Sequence, residues 1–98
     1  MKLRFHKATN RNTQAYVISI GSAAFCISYE TVVAVSGEID DKYIQARLDN
    51  TWGPTTGRHM NEMGVRDYPV LDTEAFEELC DRLLHSQALE AIKERLER

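Results

Sequence analysis

The stretch of this 98-residue chain best equipped for chemistry runs Asn50-Thr51-Trp52-Gly53-Pro54-Thr55-Thr56-Gly57-Arg58-His59-Met60-Asn61-Glu62. It gathers hydroxyls, a glycine, a guanidinium, an imidazole and an amide around one expected helix start. Helix N-termini attract anions, because unpaired backbone N–H groups and the macrodipole act together. Arg58 adds a planar fork suited to phosphate or carboxylate, and Gly57 lets a ligand approach the backbone closely. Thr55 or Thr56 would cap the helix through a hydroxyl. The same residues also have a plainer reading. Threonines cap many helices, Trp-Gly-Pro is an ordinary turn, Arg58 would pair with a nearby acid and His59 with a backbone carbonyl. No G-x-x-x-x-G-K follows a strand here, so this is not a P-loop.

Other chemistries find little support. His6, His59, His85, Cys26 and Cys80 include no i, i+4 pair and no C-x-x-C, and His59 with Glu62 is a single i, i+3 pair. No G-x-S-x-G or similar nucleophile signature occurs. No catalytic residue, metal or cofactor is therefore expected, and the chain does not read as an enzyme. Each cysteine sits inside an apolar pattern and reads as a buried free thiol, which fits a reducing cytoplasm. The opening Met1-Lys2-Leu3-Arg4-Phe5-His6-Lys7 is too polar for a secretory signal. No apolar run reaches the ~18 residues of a membrane helix, so no membrane association is expected.

Charge is unevenly spread. Lys2, Arg4, Lys7 and Arg11 precede Glu30 with no acid among them; from Glu30 on, 15 acidic residues meet 8 basic ones, for a net −3 overall. General affinity for nucleic acid is not implied. Glu38, Asp40 and Asp41 crowd one turn. Glu74, Glu77, Glu78 and Asp81 share the outer side of a helix, a solvated face or a mimic of a phosphate backbone.

The elements that must position these groups are strands first and helices after. Leu3 and Phe5 open a sheet. Tyr16, Ile18 and Ile20 alternate with period two, Gly21-Ser22 makes a tight turn, and Ala24–Tyr29 returns with Cys26 and Ser28 on one face. Thr31–Val35 and Tyr43–Leu48 follow. A short helix over Thr55–Met63 places Thr56, Met60 and Met63 on one side, with Gly64 as its stop. Asp72-Thr73 caps a long helix with a stripe of Phe76, Leu79, Cys80, Leu83 and Leu84. The stripe continues as Ala88, Leu89, Ile92 and Leu96, with a kink at Ser86 one option. Unbroken, this helix would be nearly 40 Å long and would outrun the sheet, so its last turns must fold back or meet another chain. The order predicts an α+β fold in one domain, residues 1–98. A mainly antiparallel sheet of four to five strands (about 1–50) is covered on one face by both helices (about 55–98). The expected core is Tyr16, Ile18, Phe25, Ile27, Val33, Val35, Ile44, Leu48, Phe76, Leu79, Cys80 and Leu83.

Ile27-Ser28-Tyr29-Glu30-Thr31-Val32-Val33-Ala34 and Trp52-Gly53-Pro54-Thr55-Thr56-Gly57-Arg58-His59 together resemble small bacteriophage and prophage proteins of unknown function. That group shares an Ile-Ser-Tyr-x-Thr-x-Val-Ala strand and a Ser-x-Thr-Thr-x-x-His helix start. The likeness covers roughly residues 14 to 64, and Gly53 stands where the group carries serine. It implies a phage setting, supplies no activity, and singles out Tyr29, Thr31, Thr55, Thr56 and His59. Tyr29 and Thr31 would hydrogen-bond the helix start and join the two motifs. The expectation is a small non-enzymatic binding protein, phage-encoded and cytoplasmic, docking on a host or phage protein, for instance to inhibit a host defence complex. Trp52, Tyr29, Tyr43 and Tyr68 are candidate anchors, and a homodimer through the C-terminal helix is a further expectation. The alternative is a nucleotide- or nucleic-acid-binding module holding phosphate at Thr55-Thr56-Gly57-Arg58.

Overall fold

The computed structural model describes residues 3–7, 15–49 and 53–96, the first of these as backbone alone. Five strands form an antiparallel meander: β1 (Leu3–Lys7), β2 (Ala15–Ile20), β3 (Ala23–Ser28), β4 (Thr31–Ile39) and β5 (Lys42–Leu48). Helix α1 (Pro54–Glu62) follows, then β6 (Val70–Leu71), which pairs parallel with the end of β5, then α2 (Thr73–Leu96). The fold is α+β with a mainly antiparallel sheet.

Turn chemistry sets the register. Gly21-Ser22 closes β2 onto β3, so that Ile20 faces Ala23 and Ile18 faces Phe25. Asp40 and Asp41 join β4 to β5 with φ of 52° and 65°, the left-handed pair that suits a two-residue hairpin and that Asp tolerates. β4 runs on to Ile39 rather than stopping at Ser36-Gly37. Gly37 stays inside it because α2 lies close: a Cβ there would sit 2.9 Å from Leu83 Cδ2 and 3.0 Å from the Ala23 Cα.

Strand alternation splits the interior into two clusters, one on each face. Ala23, Phe25, Val35, Ile39, Ala46 and Leu48 pack against Phe76, Leu79 and Leu83 of α2. Cys26, Val33 and Ala34 point the other way and pack with Met60 of α1 and Val65. The two helices thus lie on opposite faces, and the expectation that both cover one face is corrected. The cause is the bulge between Cys26 and Ile27, which turns Val33 as well as Ala34 toward α1 and gives the second face an apolar patch of its own. Tyr16, Ile18, Ile27, Ile44 and Cys80, expected in the core, are half-buried.

Helix α2 is a single unbroken element through Ser86. Asp72 caps it, its Oδ1 accepting from the Ala75 N–H at 2.8 Å. The core stripe ends at Leu83. Leu84, assigned inward from the sequence, is exposed, and the next inward position is Gln87. Its Oε1 accepts from the Ser22 N–H at 3.0 Å and its Nε2 donates to Ser22 Oγ at 3.0 Å. A polar clamp on the β2–β3 turn thus replaces apolar burial where the sheet runs out. No described helix is long and apolar enough to cross a membrane.

Candidate functional site

Helix α1 begins one residue earlier than the threonines suggested. Gly53 is the N-cap, with φ 115° and ψ −165° and no side-chain capping bond, and Pro54 is the first helical residue. Proline is preorganised there and lacks an N–H that would need a partner. The cap's backbone conformation is one that residues with a Cβ avoid, which accounts for glycine at this position. Thr55 and Thr56 therefore lie inside the first turn, and neither caps the helix.

The helix then divides its residues between two surfaces. Thr56, His59 and Met60 face the sheet and are buried. Ser28 meets them from the end of β3. Its Oγ lies 2.7 Å from His59 Nδ1 and 3.3 Å from Thr56 Oγ1; its single proton goes to one of them, and the other donates to it. His59 is only 1% exposed. The Tyr29 ring leans over the imidazole, with centroids 5.5 Å apart and planes tilted by 50°. Tyr29 holds φ 57°, a left-handed conformation costly for a bulky residue. The joint between the two motifs exists, but Ser28 makes its hydrogen bonds. Tyr29 contributes a ring contact and stays half-exposed, and Thr31 is exposed.

Pro54, Gly57, Arg58 and Asn61 line the other side of α1, where a cavity of about 560 Å³ opens. Arg47 of β5, Arg66 of the 65–69 turn, the buried Met60 and one acid, Asp49, are the other described residues that line it. Arg47 is held firmly: Nε donates to the Arg66 carbonyl at 2.9 Å and Nη1 to the Leu48 carbonyl at 3.0 Å. Its backbone N–H bonds the Pro69 carbonyl at 2.9 Å, seating the turn against β5. Arg66 Nη1 reaches Asn61 Oδ1 at 3.4 Å. Three arginines thus line one concavity, and Arg58 is exposed, its side chain, unlike the other two, making no hydrogen bond to another described residue.

Of the sequence-predicted site residues that the structure describes, Arg58 lines this cavity, with Gly57 of the expected phosphate seat beside it. Thr56 and His59 are structural, Thr55 is exposed outside it, Tyr29 lies over the imidazole, and Trp52 falls outside the described residues. Of the segment Thr55-Thr56-Gly57-Arg58, Gly57 and Arg58 line the cavity, Thr56 turns inward to Ser28, and Arg47 and Arg66 join the lining from elsewhere. Those two arginines were missed because β5 and the turn bring them to Arg58 only in three dimensions. Ser28 had one signal, its place on the Cys26 face of β3.

Both cysteines are free. Burial pushes the Cys26 thiol up to about 11. Burial, with the charges of Asp81 and Glu77, does the same for Cys80. Both shifts disfavour the thiolate at neutral pH. Among the described residues no cluster of three or more His, Cys, Asp or Glu is placed to hold a metal. No curated protein and no solved structure matches the chain. The sequence profile that does match spans residues 1–83, taking in the whole sheet, the buried Ser28–His59 joint and the arginine cavity, and so the chain belongs to the family of unknown function DUF8033.

Proposed function

We propose that this chain is a non-enzymatic binding protein that docks on a protein partner by seating one of the partner's anionic side chains among Arg47, Arg58 and Arg66. The presence of three arginines against one acid, Asp49, among the described residues lining one cavity carries the reading. Guanidinium forks grip carboxylate and phosphate bidentately, and the α1 N-terminal turn adds its backbone dipoles from the same side. A point contact suits a protein partner better than nucleic acid. Tracking a phosphate backbone takes an extended basic surface, whereas α2 and the β4–β5 turn expose Glu74, Glu77, Glu78, Asp81, Asp40 and Asp41. Those acids steer a basic partner surface toward the remainder of the contact. Half-exposed Tyr29 and exposed Tyr43 supply apolar anchors. The likeness to phage proteins makes a host complex the target we propose, inhibition of that complex being part of the same proposal.

Arg58→Ala tests the proposal cleanly, because Arg58 is exposed and its side chain makes no hydrogen bond or ion pair with another of the described residues. Inorganic phosphate should raise the melting temperature of the wild-type chain by linkage, and the variant should melt at the same temperature as wild type without phosphate and lose the shift. A stoichiometric protein partner captured by wild type should be lost by the variant. Retention of that partner by Arg58→Ala, or its displacement by a short oligonucleotide acting at the same site, overturns the reading.

A further inference from the structure

We infer that the outward face of α2 receives a second copy of this chain, the two helices packing antiparallel about a two-fold axis at Ala88. The inference is independent of the arginine cavity, which belongs to the opposite face of the sheet. Helix α2 turns Phe76, Leu79, Leu83 and Gln87 toward the protein. At about 100° per residue, its far side carries Leu84, Ala88, Ile92 and Leu96 at four-residue intervals, flanked by Leu89. Leu84 is 44% exposed, Ile92 54% and Leu96 82%. The far side of a surface helix is ordinarily polar, so this band calls for cover.

The charges beside the band say what covers it. Glu74, Glu77, Glu78 and Asp81 lie in the N-terminal half of α2, and Lys93 and Arg95 in its last turns. All six are exposed. Two parallel copies would set acid against acid; two antiparallel copies set each acidic half against an end where exposed Lys93 and Arg95 balance exposed Glu90 and Glu94. With the axis at Ala88, residues equally far from it on either side pair across the interface: Leu84 with Ile92 of the second copy, and Asp81 with Arg95 of the second copy. Both pairs project on the same side as Ala88, whose methyl lets the helix axes approach closely. A surface that answers itself under a two-fold is what an isologous interface requires. The overlap from Asp81 to Arg95 is about 22 Å long, which places the contact at the small end of specific interfaces, so the dimer forms in a concentration-dependent manner.

Sedimentation of the full chain over a concentration series tests this. Twice the 11.2 kDa monomer mass is expected at the upper end, and monomer for Ile92→Asp and Leu84→Glu, whose circular dichroism should match wild type. Asp81→Arg should weaken association about tenfold by setting like charges opposite each other, and adding Arg95→Asp should restore it. Ala88→Cys in a Cys80→Ser background should cross-link to itself on oxidation. Monomer at every concentration, a dimer indifferent to Ile92→Asp, or a charge swap that fails to restore association overturns the inference.

Discussion

The two faces of the sheet are held by different means. On the α2 face, Phe25, Val35, Ile39 and Leu48 meet Phe76, Leu79 and Leu83, large side chains whose cohesion is proportional to area and indifferent to direction. On the α1 face the apolar cluster is smaller, built on Cys26, Val33, Ala34, Met60 and Val65. Beside it, Ser28, Thr56 and His59 make a buried hydrogen-bonded group. Area holds a helix down; directional bonds hold it in one place. The arginine cavity lies beside the second kind of joint, where a small slip of α1 would move Arg58 relative to Arg47 and Arg66. Most of the apolar cohesion therefore lies on the α2 face, and the hydrogen bonds that orient α1 beside the arginine cavity lie on the other.

The largest effect expected from breaking that division comes from the α2 face. Phe76 is 2% exposed, and Phe76→Ala removes a ring and leaves a cavity that the neighbouring strands cannot fill. Urea unfolding should show a loss of about 3–5 kcal/mol. Phosphate affinity, measured on the fraction that remains folded, should stay at the wild-type value. A weakened affinity would mean that the two faces are coupled.

A smaller loss, of about 1–3 kcal/mol, is expected from Ser28→Ala, which takes a hydroxyl away from a ring nitrogen buried with His59. Here affinity should fall along with stability although Ser28 touches no part of the cavity, because α1 loses the bonds that fix its position. Ser28→Ala with full phosphate affinity would show that Met60 and Val65 position the helix unaided.

How much of this could be read from the sequence follows the same division. The α2 face announces itself through local patterns: the β2 strand, the Gly21-Ser22 turn, the Asp72 cap and the Phe76–Leu83 stripe each reappear in the structure, although β2 shows no alternation in burial. The stripe misled only past Leu83, where apolar residues at helical spacing slip to the outer face and Gln87 takes the inner position. The α1 face depends on contacts distant in sequence. Nothing near His59 says that its partner is Ser28, 31 residues away. Nothing near Arg58 says that β5 and the 65–69 turn will bring Arg47 and Arg66 beside it. The threonines drew attention as caps, whereas Gly53-Pro54 had already begun the helix.

The finest distinction between the faces is carried by the two thiols, since Cys26 packs on the α1 side and Cys80 against the α2 cluster. Both rise from an ordinary value near 9.0 to about 11, Cys26 by burial alone and Cys80 by burial with Asp81 and Glu77 adding to it. Each group binds its proton more tightly folded than unfolded. The stability this supplies is complete below about pH 9 and is lost as pH climbs through about 11. Cys26→Ala and Cys80→Ala should each flatten part of that alkaline decline. Salt separates them: screening weakens the repulsion from the two exposed carboxylates but leaves desolvation intact. Alkylation followed by mass spectrometry across pH, at low and high ionic strength, should show the Cys80 profile moving to lower pH with salt while the Cys26 profile stays in place. Equal movement of both would show that charge reaches the α1 face as well, and that its interior is not set by burial and hydrogen bonding alone.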